Sequence, residues 1–181
     1  MKKMFLVSML LCPLFLAAGL TGLGVRAGAA VTNLTGDVEN EKDTKTLTAL
    51  SAGVFYNYSL IPLVSLRPEI GFIKKGIKKE GLEMSSSYVE MTLPVEISIP
   101  LGIIDIPVFA GGFAGYQISE KEREEANKLQ YGVTGGVGVE LNLAAVEPGL
   151  EFRYERALSA LSDEQDSAFF HSFIFSGFVK F

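Results

Sequence analysis

Residues Val89–Ile99 read VEMTLPVEISI. Val89, Met91, Leu93, Val95, Ile97 and Ile99 are apolar, and Glu90, Thr92, Pro94, Glu96 and Ser98 stand between them. An interval of two is the side-chain period of a β-strand, whose successive residues point to opposite faces. The stretch Leu129–Leu143 (LQYGVTGGVGVELNL) repeats the pattern. Leu129, Tyr131, Val133, Val137, Val139, Leu141 and Leu143 share one face, against Gln130, Gly132, Thr134, Gly136, Gly138, Glu140 and Asn142.

Six further segments alternate in the same way. They are Leu23–Val31, Leu50–Leu60, Val64–Phe72, Ile104–Tyr116, Leu150–Glu155 and Phe173–Phe181. The connections carry independent information. Three are short, around Ile61–Pro62, Leu101–Ile103 and Ala144–Val146. Four are long and polar: Gly36–Lys45, Lys78–Ser87, Glu120–Asn127 and Ser159–Asp166. Alternation of short turns with long polar loops is the connectivity of an outer-membrane barrel, turns on the periplasmic side and loops outside. The expected fold is therefore all-β: an eight-stranded antiparallel up-and-down transmembrane β-barrel, with both termini periplasmic.

A soluble lipocalin-like barrel also alternates, with its apolar face inward. The polar face separates the two. It carries glycine and charges of both signs, Arg26, Arg67, Glu69, Glu90, Glu96, Glu147, Glu151, Arg153 and Glu155, with lysine confined mostly to loops and strand ends. A solvated face would be rich in lysine. Small residues with mixed Glu and Arg suit a narrow interior where opposite charges must pair. Pro68, Pro94, Pro107 and Pro148 fall inside these strands. Proline donates no ladder hydrogen bond, so mid-strand Pro94 predicts a bulge or local break.

Lys2 and Lys3 precede an apolar run from Met4 to Leu20, with small residues at Ala17, Ala18 and Gly19. This order is that of a cleaved secretory signal, which assigns 1–20 to a signal peptide and 21–181 to the barrel domain. The single cysteine, Cys12, lies in the leader, so the exported portion has no thiol for a disulfide, a metal or catalysis. Net charge of −5 over 181 residues gives no electrostatic reason to expect nucleic acid. Mean hydropathy of +0.30 alongside 20% charged residues fits finely interleaved polar and apolar positions.

The order and spacing of several stretches resemble the PorT-like, OmpX-like outer-membrane β-barrel domain family of Bacteroidetes type. They are Leu23–Asp37 (LGVRAGAAVTNLTGD), Leu66–Gly76 (LRPEIGFIKKG), Tyr88–Pro94 (YVEMTLP), Val108–Tyr116 (VFAGGFAGY), Tyr131–Leu141 (YGVTGGVGVEL) and Ser176–Phe181 (SGFVKF). The resemblance covers nearly all of the exported chain and implies an eight-stranded barrel in the bacterial outer membrane. PorT itself is linked to protein secretion, a role the shared fold does not carry over. Phe173, Phe175, Val179 and Phe181 resemble the C-terminal signal read by the barrel assembly machinery.

Among candidate sites, Arg26, Arg67, Glu69, Glu90, Glu96, Glu151, Arg153 and Glu155 form an expected lumen charge network. His171 is the single histidine and Ser172 follows it. Adjacent strand residues face opposite ways, so the pair offers no co-facial catalytic couple, and no catalytic residue is assigned. The acidic stretches Asp37–Asp43 and Asp163–Asp166 lack the spacing of a calcium loop. No cofactor or metal is expected. Glu120–Lys128 (EKEREEANK) reads as a solvated extension, and Tyr56, Tyr58, Tyr116, Tyr131, Phe152 and Tyr154 read as interface girdles. The expected function is non-enzymatic: envelope integrity, adhesion, or scaffolding of a surface or secretion complex. Its expected partners are membrane lipid, the assembly machinery and an envelope or extracellular protein held by the loops. The alternatives are a lipid-acting barrel enzyme and a soluble periplasmic barrel holding a small apolar ligand.

Overall fold

The computed structural model describes residues 22–35, 44–79, 82–120, 128–143, 146–159 and 169–181. The leader expected over 1–20 lies outside them. The strands are β1 (Leu23–Thr35), β2 (Thr44–Tyr56), β3 (Tyr58–Ile61), β4 (Val64–Leu66), β5 (Glu69–Lys79), β6 (Leu82–Pro100), β7 (Ile104–Glu120), β8 (Leu129–Leu141), β9 (Glu147–Ala157) and β10 (Phe169–Lys180). These ten segments make eight staves. β2 continues into β3 across Asn57, and β4 continues into β5 across Arg67–Pro68, both lying along β6.

Every stave pairs antiparallel with its chain neighbours. β1 closes the ring on β10 from Gly24↔Lys180 to Thr35↔Phe169. The closure continues at the termini, where Phe181 N donates to Leu23 O at 2.8 Å and Gly22 N donates to Phe181 O. A closed ladder leaves no strand edge, the condition for a β-structure to cross lipid.

Side-chain direction shows which way round the barrel is built. Leu50 is 63% exposed, Met91 57%, Ile97 50% and Leu150 71%, whereas Arg67 and Arg153 are at most 1% exposed. The apolar face points outward and the charged face inward. The alternative of a soluble barrel with an apolar lumen is thereby set aside, because water would meet a continuous wall of Val, Leu and Ile.

Pro94 corrects a detail. β6 runs through it without a bulge, pairing Leu93↔Gly112, Pro94↔Gly111 and Val95↔Ala110. The interruption falls instead on the neighbouring stave, at Arg67–Pro68 between β4 and β5. Arg67 N donates to Pro94 O at 2.9 Å, and Pro94 has no N–H to return. The count is preserved, since Leu66↔Val95 and Glu69↔Thr92 are both three residues apart. Pro94 therefore lies opposite Arg67 and Pro68 opposite Leu93, and the two offset prolines cost ladder bonds but not register. At Pro107 the pairing to β8 likewise lapses between Asp105↔Glu140 and Val108↔Val137.

The loop expected at Lys78–Ser87 is another correction. β5 and β6 remain paired up to Lys79↔Leu82 and form one long hairpin. Most of the other three long connections lies outside the described residues.

Candidate functional site

The lumen is built from the inward positions of the strands, and it holds an ion-pair network. Glu69 at the start of β5 accepts from Arg26 Nε of β1 at 2.5 Å and from Arg153 Nη2 of β9 at 2.8 Å. Arg153 Nη2 also lies 3.1 Å from Glu151. Glu151 accepts from Arg67 Nη2 at 2.9 Å, and Arg67 Nη1 reaches Glu96 at 3.1 Å. Arg26 Nη1 donates to Ser51 Oγ at 2.8 Å, and Asn57 Nδ2 donates to Glu96 at 2.7 Å. These residues bring β1, β2, β5, β6, β9 and the Arg67 break between β4 and β5 to one knot. All the charged side chains in it are nearly inaccessible to water, and only close pairing offsets their desolvation.

A second knot lies nearer the long-loop end. Lys75 Nζ donates to Glu90 at 2.6 Å and to Gln130 at 3.1 Å, and sits 3.2 Å from Glu155. Lys75 is 1% exposed, which corrects the expectation that lysine avoids the inner face. The sequence pattern suggests an end of the strand at Phe72. β5 in fact continues to Lys79, so Lys75 falls on an inward position deep in the barrel.

Aromatic rings complete the filling, and the sequence reading does not anticipate them. Phe55, Phe109, Phe113 and Phe178 are buried. Each lies directly across from a glycine: Gly24↔Phe55, Gly136↔Phe109, Gly132↔Phe113 and Gly149↔Phe178. A Cβ on any of these glycines would meet the opposing ring. The rings in turn cover the cations. The Arg67 guanidinium carbon is 3.9 Å from the Phe55 centroid and 5.3 Å from that of Phe109, and Lys75 Nζ is 4.6 Å from that of Phe113. The available signal is parity: each phenylalanine occupies the polar phase of its strand, and the glycine marks the space opposite.

At the end carrying the termini a cavity of about 490 Å³ is lined by Asn57, Ser65, Ser98, Glu147, Lys180 and Phe181, among others. Lys180 Nζ bridges Glu140 at 2.7 Å and Glu147 at 2.5 Å there. Asn57 both lines this cavity and bonds Glu96, so the lower knot begins where the cavity stops.

His171 faces outward on β10, half-buried between the buried Phe170 and Ser172. Ser172 faces the lumen, with its hydroxyl 3.0 Å from that of Thr32. Phe173, Phe175 and Val179 also face outward, beside β9 and β1. Among the described residues no group of three or more His, Cys, Asp or Glu is disposed to hold a metal ion. Residues 121–127 and the acidic stretches 37–43 and 163–166 lie outside the described residues.

A closed antiparallel barrel with an apolar wall and a charged, filled interior defines a small transmembrane β-barrel of the bacterial outer membrane. The model of the outer membrane protein β-barrel domain matches residues 19–163, and the chain belongs to that family. No curated protein matches it. Solved structures with the same fold include Neisserial surface protein A, at 12% identity and a TM-score of 0.59, with 90% of this chain and 99% of that one covered. Ail, the attachment invasion locus protein of Yersinia pestis, aligns at 13% identity and a TM-score of 0.51, covering 88% and 99%. The outer membrane enzyme PagL aligns at 9% identity and a TM-score of 0.52, covering 83% and 97%.

Proposed function

We propose that this protein is a non-enzymatic outer-membrane barrel of the PorT-like, OmpX-like kind. Its barrel is an anchor, and its extracellular loops contact an envelope or surface partner, in adhesion, envelope integrity or scaffolding of a secretion complex. The observation that carries this reading is the filled lumen: two ion-pair knots capped by phenylalanine rings leave the interior nothing to transport. What remains available to a partner is the outer rim and the loops. The attachment named for Ail is consistent with such a use of the fold.

The alternative, a lipid-acting enzyme on the outer wall, is motivated by the presence of PagL among similar folds. Against it, Ser172 is turned into the lumen and engaged with Thr32, on the opposite face from His171. The test is ester hydrolysis of outer-membrane lipid by the refolded protein and by His171→Ala. The expected result is no turnover by either. Turnover by the wild type that disappears in His171→Ala would replace the anchor reading with the enzymatic one.

A further inference from the structure

β9 alternates buried Glu151, Arg153, Glu155 and Ala157 with outward Phe152, Tyr154 and Arg156. Arg156 is exposed on the lipid-facing wall, where a cation is unusual. Register sets it opposite His171 of β10, and sets His171 opposite Asn33 of β1. Asn33 also faces outward, next to the buried Thr32. Three adjacent strands therefore contribute one row of nitrogen-bearing side chains, spanning roughly 10 Å at the spacing of a ladder.

Immediately toward the membrane centre lies a pad of rings. Phe152 stacks on Phe173 at 6.0 Å between centroids and tilts against Phe175 at 4.9 Å. Tyr154 lies 5.2 Å from Phe173. His171 joins the polar row to this pad, 6.1 Å from Phe173 and 6.4 Å from Tyr154. The row lies toward the long-loop end of the barrel, the end facing the outer leaflet.

A guanidinium on the lipid face is costly near the bilayer midplane and nearly neutral at the interface. At the interface the available anion is a lipid phosphate, whose oxygens match the planar donor fork of arginine. A free anion in solution would gain nothing from the ring pad, whereas a lipid would lay its acyl chains against it. We propose that Arg156, His171 and Asn33 form a binding site on the outer wall for the phosphorylated headgroup of an outer-leaflet lipid. Arg156 supplies the charge, and His171 and Asn33 add hydrogen-bond donors along the same row. The site depends on the outer-membrane location and not on the role proposed for the loops, so either can fail without the other.

The test is native mass spectrometry of the full chain refolded in detergent, with diphosphoryl lipid A, its dephosphorylated form and phosphatidylglycerol as separate probes. Heat-modifiable migration on a gel serves as the check of folding. The expected result is preferential retention of diphosphoryl lipid A, weakened about tenfold by Arg156→Gln and partly preserved in Arg156→Lys. Should Arg156→Gln not fold, the double variant Asn33→Ala with His171→Ala is expected to weaken retention as well. Undiminished binding by the folded variants would overturn the proposal. So would equal retention of the dephosphorylated lipid or of phosphatidylglycerol, or displacement of lipid A by an equal concentration of inorganic phosphate, which would mark a free-ion site.

Discussion

Glu69 accepts from two guanidiniums, Arg26 at 2.5 Å and Arg153 at 2.8 Å, in a lumen that admits almost no water. Removing its charge would leave both arginines under-compensated while their desolvation stays unchanged. Breaking a buried pair in this way costs more than the pair itself is worth, because the partner charge remains stranded. Glu69→Gln is expected to destabilise the folded barrel by about 3 kcal/mol, read as a lowered urea midpoint in detergent. A midpoint equal to that of the wild type would show that water or a rearranged Glu151 compensates. The residues that make up this knot are legible in the alternation, since each falls on the inward phase. Their partners are not. Arg153 and Glu69 are 84 residues apart, and only barrel register makes them neighbours.

At the level of strands, the four glycine–phenylalanine pairs explain why glycine is concentrated on the inner face. In a narrow barrel a large ring needs a partner without a side chain. Gly136 illustrates the constraint twice, since a Cβ there would meet both the Phe109 ring and the Phe152 carbonyl. Gly112 faces outward, with its nearest obstacle, Gly132 O, at 3.6 Å. Gly136→Ala should therefore cost about 1–3 kcal/mol of overpacking. Gly112→Ala should stay within about 0.5 kcal/mol of wild type. Paired unfolding curves in one detergent would check the contrast, and equal losses would mean the rings can move aside. The same scale accounts for two departures from the sequence reading. The β5–β6 hairpin extends past Lys78, and the strand break falls at Arg67–Pro68, opposite Leu93–Pro94, while β6 itself runs on through Pro94. Both depend on what the neighbouring strand supplies, which period-two alternation does not reveal.

For the molecule as a whole, β1–β10 pairing closes the ring, and in its two knots five carboxylates, Glu69, Glu90, Glu96, Glu151 and Glu155, face four cations, Arg26, Arg67, Lys75 and Arg153. An interior of eight strands is about wide enough for its own side chains. The protein is expected to insert into planar bilayers without opening a stable conductance. A steady single-channel current would show that the knots part, and would recast the barrel as a channel.

By itself the sequence determined the number of staves and the face that meets lipid. Period-two alternation and side-chain polarity are local properties, written residue by residue. Tertiary structure alone decided which charges pair, that Lys75 belongs to the interior, and that Arg156, His171 and Asn33 share a row. Those facts follow from how far each strand slides along its neighbour, and the slide is set by closing the barrel as a whole.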